Sequence, residues 1–299
     1  MIKPYDKPCL TENQQIALLI SRGLSVQDAS AAERTLTRIN YYRLSGYAIP
    51  FLVNREHFKT GVSFDDLLSV YRFDRVLRDL LFEALEAAEL AYRAVLARRF
   101  SEIAGPLGYR EPENFRNSSD HSRLLERIDS TIGGSSEVCI VHLKNSYGID
   151  QIPLWALVEV ETFGVVTQLY EKCKSEIQSS IAADYHIGAR PLRSYLQHLR
   201  VLRNFCAHHA RMIWRRFYGF SPFVEWSDIV SPIDTRTLFC QFLFVYRLLK
   251  HVPAECFDRD DWKRRVCANF AAAPVFASGV DLLSIMHVPS NPIESPLWV

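Results

Sequence analysis

The sequence predicts an all-α protein: one helical bundle with a long central helix and extra helices at its N- and C-terminal ends. Three observations carry this. Apolar residues recur at three- and four-residue spacings through most of the chain. The runs open on helix-capping signals. No stretch alternates polar and apolar residues as a half-buried strand would. Helical runs joined by modest loops bury a core by packing helix on helix.

Thr11 with Gln14 has the form of a capping box and opens a run with Ile16, Leu19 and Ile20 on one face. Ser25 with Asp28 opens the next, with Ala29, Ala32, Leu36 and Ile39 at helical spacing. Between Asn40 and Phe51 the pattern breaks at Gly46 and Pro50, and the density of Tyr41, Tyr42, Tyr47 and Phe51 predicts a loop packed on the core. Ser63 with Asp66 caps the clearest helix, Phe64 to about Ile103, which holds no proline or glycine. It repeats Leu67, Val70, Tyr71, Asp74, Leu77, Leu81, Leu85, Ala88 and Tyr92, and a helix of this length spans the molecule. Its basic Arg72, Arg75 and Arg78, followed by acidic Glu83, Glu86 and Glu89, read in two ways. They form a solvated charged face, or some of them support a site on a neighbouring helix.

Gly105 to Asp120 is polar and reads as a surface loop. Arg123 to Ile132 and Glu137 to Ser146 read as helices divided by Gly133-Gly134. Pro153 opens a helix from Leu154 to Cys173, with Glu159 and Glu161 inside its apolar length. Pro191 opens the segment Leu192 to about Arg216. Leu238 to Leu249, strongly apolar and aromatic, reads as a core or interface helix, and the proline-rich tail from Ala273 on reads as lying over the surface. The chain divides into an N-terminal helical and loop region (1–62), a helical core (63–250) and a C-terminal extension (251–299).

The formal net charge is only +1, so the molecule is not a polycation, and nucleic-acid binding would have to come from a local patch. Met1 to Pro8 has no apolar core for a secretion leader, and no apolar run reaches the roughly 20 residues that span a bilayer. A cytoplasmic protein with no membrane partner is expected. The seven cysteines are scattered, with no CxxC pair, which argues against a disulfide framework or a zinc knuckle and for reduced, mostly buried thiols.

One segment supplies the patch. From Tyr185 to Val224 there is no Asp or Glu, while Arg190, Arg193, Arg200, Arg203, Arg211, Arg215 and Arg216 stand there with His186, His198, His208 and His209. Such a field suits a phosphodiester backbone, and arginine suits bidentate phosphate contact. Tyr195, Phe205, Trp214, Phe217 and Tyr218 are interleaved, either to stack on unpaired bases or to fill the core. Within the segment, Asn204 and His208 are four apart, on one helix face, and Arg203 reaches over the same edge. Histidine can move a proton near neutral pH, arginine can hold a phosphate and the charge added in a transition state, and asparagine can orient either. RNA carries its own nucleophile, the 2′-hydroxyl. A site with no metal and no cofactor can therefore cut it, leaving a 2′,3′-cyclic phosphate and a 5′-hydroxyl. Arg203, Asn204 and His208 are the candidate catalytic residues. Arg200, His209, Arg211, Arg215 and Arg216 are the candidate RNA-binding ones. His208 and His209 as a metal pair are disfavoured, because adjacent side chains on a helix diverge by about 100° and no carboxylate or thiol cluster completes a shell.

Leu202-Arg203-Asn204-Phe205-Cys206-Ala207-His208-His209-Ala210-Arg211 resembles the signature of the Abi-like (abortive infection) family, part of the HEPN superfamily, whose nuclease members carry an arginine followed a few residues later by histidine. Asn40-Tyr41-Tyr42-Arg43-Leu44-Ser45-Gly46-Tyr47 resembles the family's N-terminal block. Tyr71 to Arg78 with Glu89 and Arg93 is similar to its long-helix block, and Pro153-Leu154-Trp155, Glu159 and Phe163-Gly164 to its central one. Arg215 stands where members often have asparagine. The resemblance implies a HEPN-type bundle and a metal-independent endoribonuclease acting in phage defence or as a toxin of a toxin–antitoxin system. It also implies a homodimer that pairs two motifs, and an inhibitory small RNA or antitoxin partner. A non-catalytic RNA-binding or interaction module of the same fold is the alternative. Which of His208 and His209 is the motif histidine stays open, and Glu89 with Arg93 is expected to form buried polar support near the motif helix.

Overall fold

The computed structural model describes residues 8–54, 56–230 and 232–299, and the leader reading of Met1 to Lys7 lies outside them. Among the described residues there are fourteen α-helices and no strand, only isolated bridges. The all-α expectation and the long central helix are therefore both observed.

Helix α1 (Glu12–Ser21) opens on the expected capping box: Thr11 Oγ1 accepts from the Gln14 amide, and the Gln14 side chain accepts from the Thr11 amide. Asp28 caps α2 (Ala29–Leu36), which packs on α1. The aromatic segment buries Tyr47 and Phe51 as expected, but it is not loop throughout. Asn40 Oδ1 accepts from the Tyr42 amide at 2.7 Å and starts a short helix, α3 (Tyr41–Ser45).

Helix α4 (Phe64–Ala104) has 41 residues, about 60 Å at the α-helical rise. The Ser63–Asp66 capping box holds its start, and Gly105, in the left-handed region at φ 79°, ends it. There follow α5 (Ser118–Gly134), α6 (Val138–Tyr147), α7 (Leu154–Val160), α8 (Phe163–Lys172), α9 (Ser175–Ala183), α10 (Ala189–Ala207), α11 (Val224–Ser227), α12 (Leu238–Leu249), α13 (Arg259–Ala271) and α14 (Leu282–Ile285). Helices α7, α9, α10, α12 and α13 pack along α4. Every residue of α12 is buried, the fate of a helix that is apolar on all sides.

Four expectations are corrected. Helix α5 begins at Ser118, not Arg123, because Asn117 accepts from the Asp120 amide and caps it there. The stretch from Gly105 to Asp120 is not purely surface, since Tyr109 and Phe115 are buried and Tyr109 donates to the Ile152 carbonyl at 2.7 Å. The helix expected from Leu154 to Cys173 is two. Glu161 is extended, Thr162 caps α8 by accepting from the Val165 amide, and the Arg93 guanidinium donates to the freed carbonyls of Val158 and Glu161. The tail does not merely cover the surface. Phe276, Leu282, Met286 and Trp298 are buried, and Trp298 packs edge-on against Phe239, Tyr246 and Trp262. Only the short α14 forms in this proline-rich stretch, yet its apolar side chains are still buried.

Candidate active site

Helix α10 presents two faces. Leu192, Tyr195, Leu196, Leu199, Leu202 and Cys206 are buried. The other edge carries Arg193, Gln197, Arg200, Asn204 and His208 at spacings of three and four, all exposed except Arg200, which is half-buried. Asn204 and His208 thus share an edge, as their spacing predicts.

The segment was expected to run on to about Arg216, but the helix stops at Ala207 with His208 as its cap. The His209 amide donates to the Cys206 carbonyl at 3.0 Å, and the Ala210 amide to the Phe205 carbonyl at 2.9 Å. This is a Schellman ending, with His209 at φ 54° in the left-handed place that glycine usually takes. A non-glycine residue there costs about 1 kcal/mol. Nothing in the local sequence stops the helix; α4 does. The Asp74 carboxylate, 0% exposed, accepts from the Met212 and Ile213 amides at 2.9 and 2.8 Å and from the Tyr47 hydroxyl at 2.7 Å. It also pairs with Arg78, which donates to the Ala210 carbonyl. From α3, Arg43 donates to the His209 carbonyl at 2.8 Å. Arg211 and the Trp214 indole both donate to the Gly46 carbonyl. A Cβ on Gly46 would meet the Arg211 guanidinium, so a larger residue there would displace the end of that side chain. The histidine turn is thereby clamped between α3 and α4.

Arg203 leans the other way. Its Nε lies 3.3 Å from Glu89 Oε2, and Glu89, with its side chain 9% exposed, also accepts from Arg93. Glu89 and Arg93 are the buried support expected next to the motif helix. Arg203 lines a cleft of about 270 Å³ with Glu86, Glu89, Arg93 and Glu159. His208 and His209 line a separate cleft of about 490 Å³ with Asn40, Tyr42, Arg43, Tyr47, Arg211 and Arg215. Within one chain, then, Arg203 and His208 open onto different clefts.

The expected RNA-binding residues divide as well. Arg216 pairs with Asp234 at 3.0 Å, so a segment free of acids in sequence meets one in space. Arg211 turns inward to Gly46 and the Tyr47 ring, and burial pushes its pKa down. Arg215 stacks over Phe205 at 4.4 Å. Among the described residues, none of Arg43, Arg200, Arg211 and Arg215 pairs with a carboxylate. Of the aromatics, Tyr195 and Phe217 are core, Phe205 and Trp214 are half-buried, and Tyr218 is exposed. His198 is structural. Gln241 uses its amide nitrogen on the Thr235 and Thr237 carbonyls, so its oxygen must accept from His198 Nε2 at 2.6 Å, and burial pushes the imidazole pKa down. Among the described residues no three His, Cys, Asp or Glu side chains converge to hold a metal ion.

Sequence reasoning assigned no site role to Asp74, Tyr42 or Arg43. Asp74 did leave a signal: a carboxylate inside the buried stripe of α4, where an unpaired charge would be costly.

What the fold and site define is an all-helical protein that presents an Asn–His edge beside a carboxylate-free cationic cleft. The family model described as Abi-like protein matches residues 34–214, more than half of the chain, and the chain belongs to that family. The match takes in α3, all of α4 and the whole histidine turn. No curated protein matches the chain, and no solved structure does.

Proposed function

We propose that this protein is a metal-independent endoribonuclease of the HEPN type that acts in abortive infection, or as the toxin of a toxin–antitoxin pair. The observation that carries the proposal is the exposed Asn204–His208 edge. The ring of His208 has no hydrogen-bond partner among the described residues, and its cleft is lined by arginines without a single carboxylate. An imidazole held open to solvent beside a cationic wall suits proton transfer on a bound phosphodiester.

The chemistry needs a base and an acid. The base takes the 2′-hydroxyl proton as the 2′-oxygen attacks phosphorus. The bond from phosphorus to the 5′-oxygen breaks, and the acid protonates that oxygen. The products are a 2′,3′-cyclic phosphate and a 5′-hydroxyl. One chain brings one motif, so a homodimer supplies the second histidine. Joining two edges also answers the separation of Arg203 and His208 within a chain. In this scheme His208 is the acid or base, Asn204 orients it, and Arg203 meets the charge that builds on the phosphate. An inhibitory RNA or antitoxin would keep such an enzyme silent. Expression of wild type beside Arg203→Ala and His208→Ala tests the scheme. Wild type alone should arrest growth and fragment cellular RNA, and equal arrest by His208→Ala would overturn it.

One observation favours a second reading, a non-catalytic RNA-binding module. Arg203, the proposed phosphate ligand, is already engaged by Glu89. RNA binding without cleavage, and without arrest on expression, would support it.

A further inference from the structure

The cleft beside His208 has one wall from the N-terminal region, and that wall carries a side chain that the fold does not use. Tyr42 is 84% exposed, the most exposed aromatic ring among the described residues, although it sits in a helix whose other tyrosine, Tyr41, packs on the core. Its position is fixed from both sides. Asn40 caps the turn through the Tyr42 amide, and Arg43, the next residue, is tied to the His209 carbonyl. The backbone of Tyr42 is therefore fixed beside the histidine turn, and its ring lines the same cleft as His208 and His209 without a hydrogen bond through its hydroxyl among the described residues. The same cleft carries Arg43, Arg211 and Arg215, none paired with a carboxylate, and no acidic residue lines it.

We propose that this cleft is the binding site for an unpaired RNA nucleotide flanking the scissile phosphate. Tyr42 stacks on its base, and Arg43 with Arg215 faces its phosphate. The inference rests on the endoribonuclease reading for the identity of the scissile bond, but not for binding. The chemistry selects the ligand class. A planar exposed ring beside guanidinium groups suits a base next to a phosphodiester, and in a duplex the base faces are already stacked and closed to Tyr42. Tyr42 is a positioning residue and transfers no proton.

The test uses the full chain and a short single-stranded oligoribonucleotide made uncleavable by 2′-O-methyl groups. Tyr42→Ala should weaken its binding about tenfold, in the range that stacking on aromatic side chains reaches. Tyr42→Trp should restore it. An abasic oligomer of the same length should bind wild type and Tyr42→Ala equally, because only phosphates remain to be held. Equal binding of the base-bearing RNA by wild type and Tyr42→Ala overturns the proposal. So does an equal loss on the abasic oligomer, or a changed oligomeric state in sedimentation, which would place Tyr42 at a protein interface. Cleavage of the same oligoribonucleotide without the 2′-O-methyl groups, by wild type and Tyr42→Ala, separates the two claims. If RNA is bound in a Tyr42-dependent way but never cut by wild type, the nuclease reading fails and the nucleotide site stands. If wild type cuts RNA and Tyr42→Ala binds and cuts like it, the site fails alone.

Discussion

Asp74 decides where the histidine turn goes. One carboxylate accepts from two consecutive amides after the motif and from Tyr47, while pairing with Arg78 inside the core. Removing one partner of a buried ion pair leaves the other charge unpaired, so Asp74→Ala should lower stability by about 3–5 kcal/mol, read by urea unfolding. A smaller loss than in Tyr47→Phe, which gives up one hydrogen bond, would show that the carboxylate is not the anchor. His209 makes the opposite prediction. Its left-handed backbone costs about 1 kcal/mol that glycine does not, so His209→Gly should raise stability by about that much. It should also leave RNA cleavage in place if His208 is the acting histidine. Loss of cleavage in that variant would transfer the role to His209. The sequence leaves the choice between the two histidines open because the ending is set by Asp74, far away in the chain, and not by a local glycine or proline.

Elements were legible where they carry their own signals. The capping boxes at Thr11 and Ser63, the uninterrupted apolar period of α4 and the apolar α12 all appear as the sequence predicts. Two of the failures share a cause. The breaks at Glu161 and after Ala207 occur where side chains of α4, Arg93 and Asp74, capture backbone groups that a continuing helix would use itself. No window along the chain contains such a partner. The candidate site was legible to the same degree: Asn204 and His208 share an edge because spacing places them there, whereas Arg203 turns to Glu89 for a tertiary reason. Glu89 joins α4 to α10 and, through Arg93, to the break between α7 and α8. Glu89→Gln should therefore cost about 3 kcal/mol by leaving Arg93 without its charge partner. RNA cleavage should fall with it, since Arg203 loses its anchor. Unchanged stability and cleavage would remove Glu89 from the account.

For the whole molecule, one core runs from Ile16 to Trp298, so the N-terminal helices and the C-terminal tail are packed onto the same interior as α4 and α10. No described helix is long and apolar enough to cross a membrane. The seven cysteines are free, with Cys9, Cys139 and Cys256 exposed and Cys173, Cys206, Cys240 and Cys267 buried. Burial pushes the thiols of Cys173, Cys206 and Cys240 up to about 12 and raises Cys267 as well. The thiolate is the reactive form, and at pH 8 these four stay protonated as well as covered. Iodoacetamide should then modify three cysteines in the native protein and all seven in urea, counted by mass spectrometry. Rapid native labelling of Cys206, beneath the histidine turn, would mean that the clamp opens.

The placement of the histidine turn and the chemistry proposed for it meet in one measurement: the ends left on single-stranded RNA by purified protein in excess EDTA. Wild type is expected to leave 2′,3′-cyclic phosphate and 5′-hydroxyl ends, and Arg203→Ala and His208→Ala to leave the RNA intact while remaining folded. Cleavage by His208→Ala at the wild-type rate, or ends with a 3′-hydroxyl and 5′-phosphate, would contradict it.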